Sequence, residues 1–228
     1  MSDSRTNAGI DNVSVFRKMF TWSTPGERVI TIMTAGNLAT TQAVVSLLDE
    51  RSKVPADRNP TILEVPTMFQ AATLVGDTLR ELVRTQAGAS QIAESTFGAT
   101  LIIGGQIGDM DPRLFLVYPE GNFIEATDDT PFFQIGETKY GRPILLRAYD
   151  REMTFEDAVK LVTLSFDSTL KANLSVGMPL DLQVYEAGSL QVGKERRIEQ
   201  DDPYYNEISS GWSEALRTAF HSLPNYEF

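Results

Sequence analysis

The sequence predicts a layered α+β sandwich, and three observations carry that reading. Short β-branched runs alternate with longer stretches whose apolar residues recur at helical spacing. The helical stretches come in groups between blocks of strands, where alternating βαβ units would place one helix in each crossover. The strands within a block are separated by tight Pro, Gly and Asn turns of the kind that join antiparallel neighbours.

The elements follow in order. Residues Val13 to Trp22 read as one strand, with Phe16 and Phe20 prominent. Pro25-Gly26 supplies a turn, and Arg28 to Ala35 returns as a second strand through Val29, Ile30 and Ile32. Gly36-Asn37 ends this hairpin. From Leu38 to Lys53 the period changes, and Ala39, Ala43, Val44, Leu47 and Leu48 recur as on a helix. A proline-bearing linker spans Pro55 to Pro66. A second helix follows, its stripe made by Met68, Ala71, Ala72, Val75, Leu79 and Leu82, with Asp77, Arg80, Glu81 and Arg84 off it. Gln86 to Ser95 reads as a loop.

Phe97 to Gly108, Arg113 to Tyr118 and Phe123 to Ala126 form a meander. Glu137 to Tyr149 stays open between helix and strand because Pro143 interrupts it. Thr154 then opens a third helix, with Asp157 where a capping box places its acid and Ala158, Val162, Phe166, Leu170 and Leu174 along one face. Ser175 to Pro179 stops it, and Leu180 to Tyr185 is a closing strand. The tail is polar until a terminal helix over Ile208 to Leu223. This divides the chain into a main domain, residues 1–190, and a C-terminal extension, residues 191–228.

Composition limits the chemistry. With 228 residues, 42% of them hydrophobic, the chain can bury a core without disulfides or metals. It has no cysteine, which excludes disulfide scaffolds, thiolate zinc sites and cysteine nucleophiles. His221 is its one histidine, so a Ser-His-Asp triad would have to use it, and no metal or other cofactor is expected. A net charge of −11 repels phosphate backbones, so no nucleic-acid partner is expected. There is no long apolar run and no apolar stretch behind the polar Met1 to Asn7 segment, so neither membrane insertion nor a signal peptide is expected, and the expected location is the cytoplasm.

Gly104-Gly-Gln-Ile-Gly108 lacks the lysine and the following helix of a phosphate loop and reads as a strand-to-strand turn. Asp109 with Asp111, and the pairs Asp128-Asp129 and Asp201-Asp202, read as solvated loops. Asp3, followed a hairpin later by Lys18, is by itself a surface ion pair at most.

A set of short motifs raises its significance. Asp3-Ser-Arg5, Lys18, Ala35-Gly-Asn37, Gly104-Gly105 with Asp111-Pro-Arg-Leu-Phe115, Ile135-Gly136-Glu137 and Ser175-Val-Gly177 follow one another over nearly the whole chain. In this order they resemble the proteasome β-subunit superfamily. The wording SDSRTNAG, FRKMF, TAGNLATTQAVVSLL and NLSVGMPLDL is similar to its ancestral-β-type bacterial branch. The resemblance implies the αββα sandwich of N-terminal-nucleophile (Ntn) hydrolases. It also implies a threonine peptidase chemistry, in which an N-terminal threonine hydroxyl attacks a carbonyl and the free α-amine serves as base. A lysine ammonium nearby favours the neutral amine and the alkoxide.

Carried over residue by residue, Lys18 takes the lysine role, Asp3 the aspartate that holds it, and Ser175 the serine near the amine. Ala35 and Gly36 lie by the substrate backbone, while Arg5, Gly136 and Gly177 are structural. The implied partners are copies of the chain, in a closed or open homo-oligomeric ring, and a peptide substrate or another ligand.

Two departures accompany the resemblance. Family members carry a β-hairpin, headed by the nucleophile, before the Asp-x-Arg, whereas Asp3 stands almost first here. In addition, Ala172 occupies the place of an aspartate and Glu137 that of a serine. Either the start is assigned too far downstream, which the exposed sheet edge of a shortened chain favours, or the chain is a non-proteolytic structural or binding subunit. A small-molecule binder outside this superfamily is a third reading. In the tail, Ile208, Trp212, Leu216 and Phe220 recur at every fourth residue. They face either the chain's own domain or a neighbouring subunit, the latter being expected because aromatic residues are enriched at interfaces.

Overall fold

The structure is a computed structural model that describes residues 1–7, 13–53, 60–90 and 94–228. At its centre is a five-stranded antiparallel sheet, formed in sequence order by β4 (Met19–Thr24), β5 (Arg28–Gly36), β6 (Ala99–Ile107), β7 (Arg113–Val117) and β8 (Phe123–Glu125). A three-stranded sheet lies against it, with β9 (Leu180–Val184) between β1 (Ser2–Asp3) and β10 (Lys194–Ile198). A small pair joins β2 (Arg5–Asn7) to β3 (Val13–Val15).

The expected single strand over Val13 to Trp22 is therefore two strands in two sheets. Val15 stands opposite Arg5, whereas Met19 stands opposite Met33. Between them the backbone changes partners. The Phe16 N–H donates to the Ser4 carbonyl at 2.8 Å, and the Lys18 carbonyl accepts from the Thr34 N–H at 2.9 Å. The alternation is interrupted at this point, where Val15-Phe16, Arg17-Lys18 and Met19-Phe20 come in like pairs, but a lost period alone does not say that the strand changes sheets.

Alternation along β5 separates the two sides of the central sheet. Ile30 and Ile32 point into the main core, where they meet α1 (Leu38–Lys53) and α2 (Met68–Ser90). The predicted stripe of α2 is that core's other wall: Met68, Ala71, Ala72, Val75 and Leu79 are buried and Leu82 partly so. On α1 the buried residues include Val44, Val45 and Leu48, while Ala39 is exposed. Asn37 caps α1 by accepting from the Thr40 N–H at 3.0 Å.

Helix α2 continues to Ser90, through what reads as the start of a loop, because tertiary contacts extend it. Thr40 Oγ1 donates to the Gln86 side-chain Oε1 at 2.8 Å, and Ala87 is buried. The rest of that loop includes residues 91–93, which lie outside the described residues, and a short 3-10 turn over Glu94–Phe97. Of the expected linker, residues 54–59 also lie outside them. Gly76 and Gly121 let α2 and the β7–β8 turn touch backbone to backbone, since a Cβ on either would collide with the other's carbonyl.

The other face of β5 is polar by comparison. Thr31 donates to Gln183 of β9 at 2.6 Å, and Gln183 donates to Thr21 at 3.0 Å. Tyr185 Oη donates to Gln106 of β6 at 2.7 Å. These bonds join the two sheets around a cleft of about 380 Å³ lined by Met19, Val29, Thr31, Met33 and the Arg113–Glu125 ion pair.

The remaining helices pack on one another. Pro143 sits in the first turn of α3 (Arg142–Ala148), which settles the segment left open in the sequence. Helix α4 (Phe155–Ala172) is capped by Thr154, which accepts from the Asp157 N–H at 3.1 Å. Its buried positions are Leu161, Thr163, Ser165, Asp167 and Thr169. The predicted stripe Ala158, Val162, Phe166 and Leu170 is only half-buried, and Leu174 lies beyond the helix, exposed. Polar groups can occupy the buried face where they find hydrogen-bond partners. Thr163 and Thr169 donate to the carbonyls of Val159 and Ser165, at 2.7 and 2.9 Å.

The stretch expected to be a polar tail contains β10, a charged edge strand paired in register with β9. Helix α5 (Pro203–Ser222) begins five residues before the expected start at Ile208. Its cap is Asp202, which accepts from the Tyr205 N–H at 3.1 Å and pairs with Arg196 of β10 at 2.6 Å.

Candidate functional site

The two sheets and the small β2–β3 pair converge on Asp3. Its Oδ1 accepts from Lys18 Nζ at 2.7 Å. Its Oδ2 accepts from the backbone N–H groups of Arg5 and Gly177, each at 3.2 Å. The lysine also donates to the Arg5 carbonyl at 2.6 Å. Both side chains are mostly buried, 11% exposed for Asp3 and 19% for Lys18. A carboxylate with three donors and an ammonium with two acceptors form a fixed pair, which a freely solvated surface pair is not.

Local structure explains the placement. Asp3 ends β1, held against β9 by pairing with Leu180. Lys18 occupies the break between β3 and β4, where no strand neighbour competes for its side chain. Ser4 is fully buried, and its Oγ donates to the Pro179 carbonyl at 2.7 Å, drawing the 174–179 loop onto β1. Arg5 lies along that loop and donates to the Leu174 carbonyl at 3.0 Å. Gly177 makes this possible, because a Cβ there would fall on the Arg5 guanidinium.

The other candidate residues lie around this pair. The Lys18 carbonyl bonds Thr34, the residue before Ala35 and Gly36 at the end of β5. Gly136 approaches Ala35: a Cβ on Gly136 would stand 3.5 Å from that of Ala35. Ser175 is exposed in the loop beside Gly177. Asp3, Lys18, Arg5 and Gly177 are thus in direct contact, Ala35 and Gly36 adjoin them through Thr34, and Ser175 comes near through the loop backbone.

Sequence reasoning missed Asn173. Its Oδ1 accepts from the Ser175 N–H at 2.8 Å, and its Nδ2 donates to Glu137 at 2.7 Å. It ties the Ser175 loop to the Gly136-Glu137 turn. A sequence signal existed: asparagine directly after a helix and two residues before a serine is suited to this local bond. The glutamate departure at residue 137 acquires a structural partner in the same contact.

In chemical terms, the site presents one ammonium in a fixed direction, beside the end of β5 and the exposed loop positions Gly136 and Ser175. It can hold a negative charge or depress the basicity of a neighbouring amine.

Comparison with known proteins agrees with this architecture. The proteasome subunit family model matches residues 27–184. A solved structure of Anbu (ancestral beta-subunit) from Yersinia bercovieri is 45% identical, with a TM-score of 0.92, and the match covers 100% of this chain and 94% of that one. Anbu from Hyphomicrobium sp. strain MC1 is 50% identical, with a TM-score of 0.91 and the same coverage. The structure described as the helical assembly of the Anbu complex from Pseudomonas aeruginosa is 44% identical, with a TM-score of 0.91, over 99% of this chain and 92% of that one. No curated protein matches. On the family match, the near-complete mutual coverage and the shared layers, the chain belongs to the proteasome subunit family, in its Anbu branch, and has the family's Ntn-type αββα fold.

Proposed function

We propose that the chain is a self-assembling subunit of the N-terminal-threonine hydrolase class, in which Lys18 and Asp3 prepare the attack on a peptide or amide carbonyl. The observation that carries this reading is the Lys18–Asp3 pair, with the ammonium fixed by two acceptors at 2.7 and 2.6 Å. A lysine held in this way lowers the basicity of an adjacent α-amine, so the amine takes up the threonine proton near neutral pH. Ala35 and Gly36 bind the substrate backbone, and the 173–177 loop carrying Ser175 borders the amine. The nucleophile itself is not assigned to a residue of this chain.

Assembly is the second half of the reading, and the helical complex described for the Pseudomonas aeruginosa relative supports it. The location proposed is the cytoplasm. Among the described residues, no helix is long and apolar enough to cross a membrane.

The test is the N-terminal residue and peptide hydrolysis of protein purified from its native locus, with Lys18→Ala as control. Turnover that is lost in the variant supports the proposal. A mature N-terminus at Met1 or Ser2 and no turnover sink it. That outcome favours a non-proteolytic ring or binding subunit, the reading to which Ala172 and the Glu137–Asn173 contact point.

A further inference from the structure

Helix α5 is anchored at one end only. It meets α4 through Tyr205 Oη, which donates to Asp167 at 3.1 Å, and through Lys171 Nζ, which donates to Ser209 and Ser213 at 2.9 and 3.2 Å. Lys171 is the penultimate residue of α4, so α5 runs past the end of its support. From Glu214 to Ser222 it projects by about 13 Å, at a rise of about 1.5 Å per residue.

This arm carries Leu216, Phe220, Leu223, Tyr226 and Phe228, which are from 50% to 114% exposed. Phe220 meets only His221, and Tyr226 meets Phe228, among the ring contacts of the described residues. Leu216 and Phe220 lie on the projecting helix and the other three in the segment after it, and large apolar groups exposed together mark an interaction surface.

A second exposed patch lies on α3 and its flanks. Leu146 is 62% exposed, and Tyr140, Tyr149 and Phe155 stand in the open nearby. Lys139, Arg142 and Arg147 surround them, exposed and without an ion pair among the described residues. Asp150, Glu152 and Glu156 flank Tyr149 and Phe155, so the cationic part of the face is the α3 side that bears Arg142 and Arg147, and Glu227 on the arm complements it.

We propose that the arm of one copy, Leu216 to Phe228, docks on the α3 face of a second copy. Phe220 and its neighbours cover Leu146, and Glu227 approaches Arg142 and Arg147. The inference rests on the assembly reading above and specifies its contact. Arm and face are different surfaces of one chain, so the contact is head-to-tail, and repetition closes a ring or continues as a helix.

The absence of cysteine makes the test specific, since Leu146→Cys and Phe220→Cys introduce the only thiols. The assembled double variant, treated with a short bismaleimide, gives a ladder of covalent multimers, while either single variant gives none. Leu146→Asp and Phe220→Asp each lower the assembled mass in sedimentation while leaving the far-UV helical signal intact, because both positions are exposed in the single chain. Three results overturn the proposal while leaving assembly intact: no linkage in the double variant, dimers from Phe220→Cys alone, or linkage without a gain in mass. A chain that is monomeric at micromolar concentration overturns the proposal and the assembly reading together.

Discussion

Lys18 Nζ lies 2.7 Å from Asp3 Oδ1, although fourteen residues and a change of sheet separate the two in the chain. Removing the lysine leaves a mostly buried carboxylate short of one charged donor. Lys18→Ala is therefore expected to destabilise the fold by about 1.5–3 kcal/mol. In protein with hydrolytic turnover, the same change lowers kcat by about 100-fold or more, with KM little altered. Denaturant titration and steady-state kinetics on one preparation check both. Unchanged turnover removes Lys18 from the mechanism.

Gly177 and Arg5 give a second prediction. Gly177→Ala pushes the guanidinium off the loop and breaks its bond to the Leu174 carbonyl. The expected cost is about 1–3 kcal/mol. On an Arg5→Ala background the same substitution should cost much less, because the group in its way is gone. Equal costs on both backgrounds show that the contact does not matter.

The main core is the simplest to test. Leu79 and Val75 are fully buried on α2 against the five-stranded sheet. Leu79→Ala is expected to destabilise by about 2–5 kcal/mol, and Val75→Ala by less. Thermal melts or urea titrations measure this directly, and a shift below about half a kcal/mol at both sites contradicts the packing.

Asp202 yields a pH dependence. Burial acts to raise its carboxyl, but the backbone N–H groups of Tyr205 and Tyr204 and the Arg196 guanidinium outweigh it and hold the group below its ordinary value. A depressed folded pKa means stability that is present above the unfolded value, about 3.9, and lost as pH falls through the folded one. The start of α5 is expected to loosen below about pH 4. Asp202→Ala produces the same loosening at neutral pH, at about 1 kcal/mol for the lost cap. Amide exchange at Tyr204 and Tyr205 is the readout. Protection that persists in the variant contradicts it.

The sequence was most legible where periodicity met a single partner. Helix α1 has its predicted bounds, and the α2 stripe from Met68 to Leu79 is the buried one, because one apolar face met one apolar sheet. It was least legible where partners changed or polar groups were buried. The β3–β4 break falls on Arg17-Lys18, which reads as the polar face of one long strand because the residues on both sides have strand character. The buried face of α4 includes Thr163, Ser165, Asp167 and Thr169: the two threonines bond carbonyls one turn back, and Asp167 takes Lys171 and, from α5, Tyr205, so a face that reads as polar can be buried. Strand β10 reads as solvent-facing because its residues are charged, and as an edge strand they are. At the candidate site, the ordered motifs brought out Asp3, Lys18, Ser175 and the glycines. Asn173 was missed because its bonds join two loops distant in sequence.

The seam between the two sheets has a consequence for how the molecule opens. Helices α1 and α2 hold the five-stranded sheet through mainly apolar packing, together with the bond from Trp22 to Asp49, whereas β9 meets that sheet through Thr21, Thr31, Gln183 and the Tyr185–Gln106 bond. Directional bonds of this kind separate with little loss once water can replace them. The molecule therefore divides into two cooperative units of unequal strength. Amides of β1, β9 and β10 exchange through a partial opening, while those of β5 and β6 wait for global unfolding. The weaker unit is the one that carries Asp3 and the loop around Ser175, so the site can breathe while the scaffold beneath it stays closed.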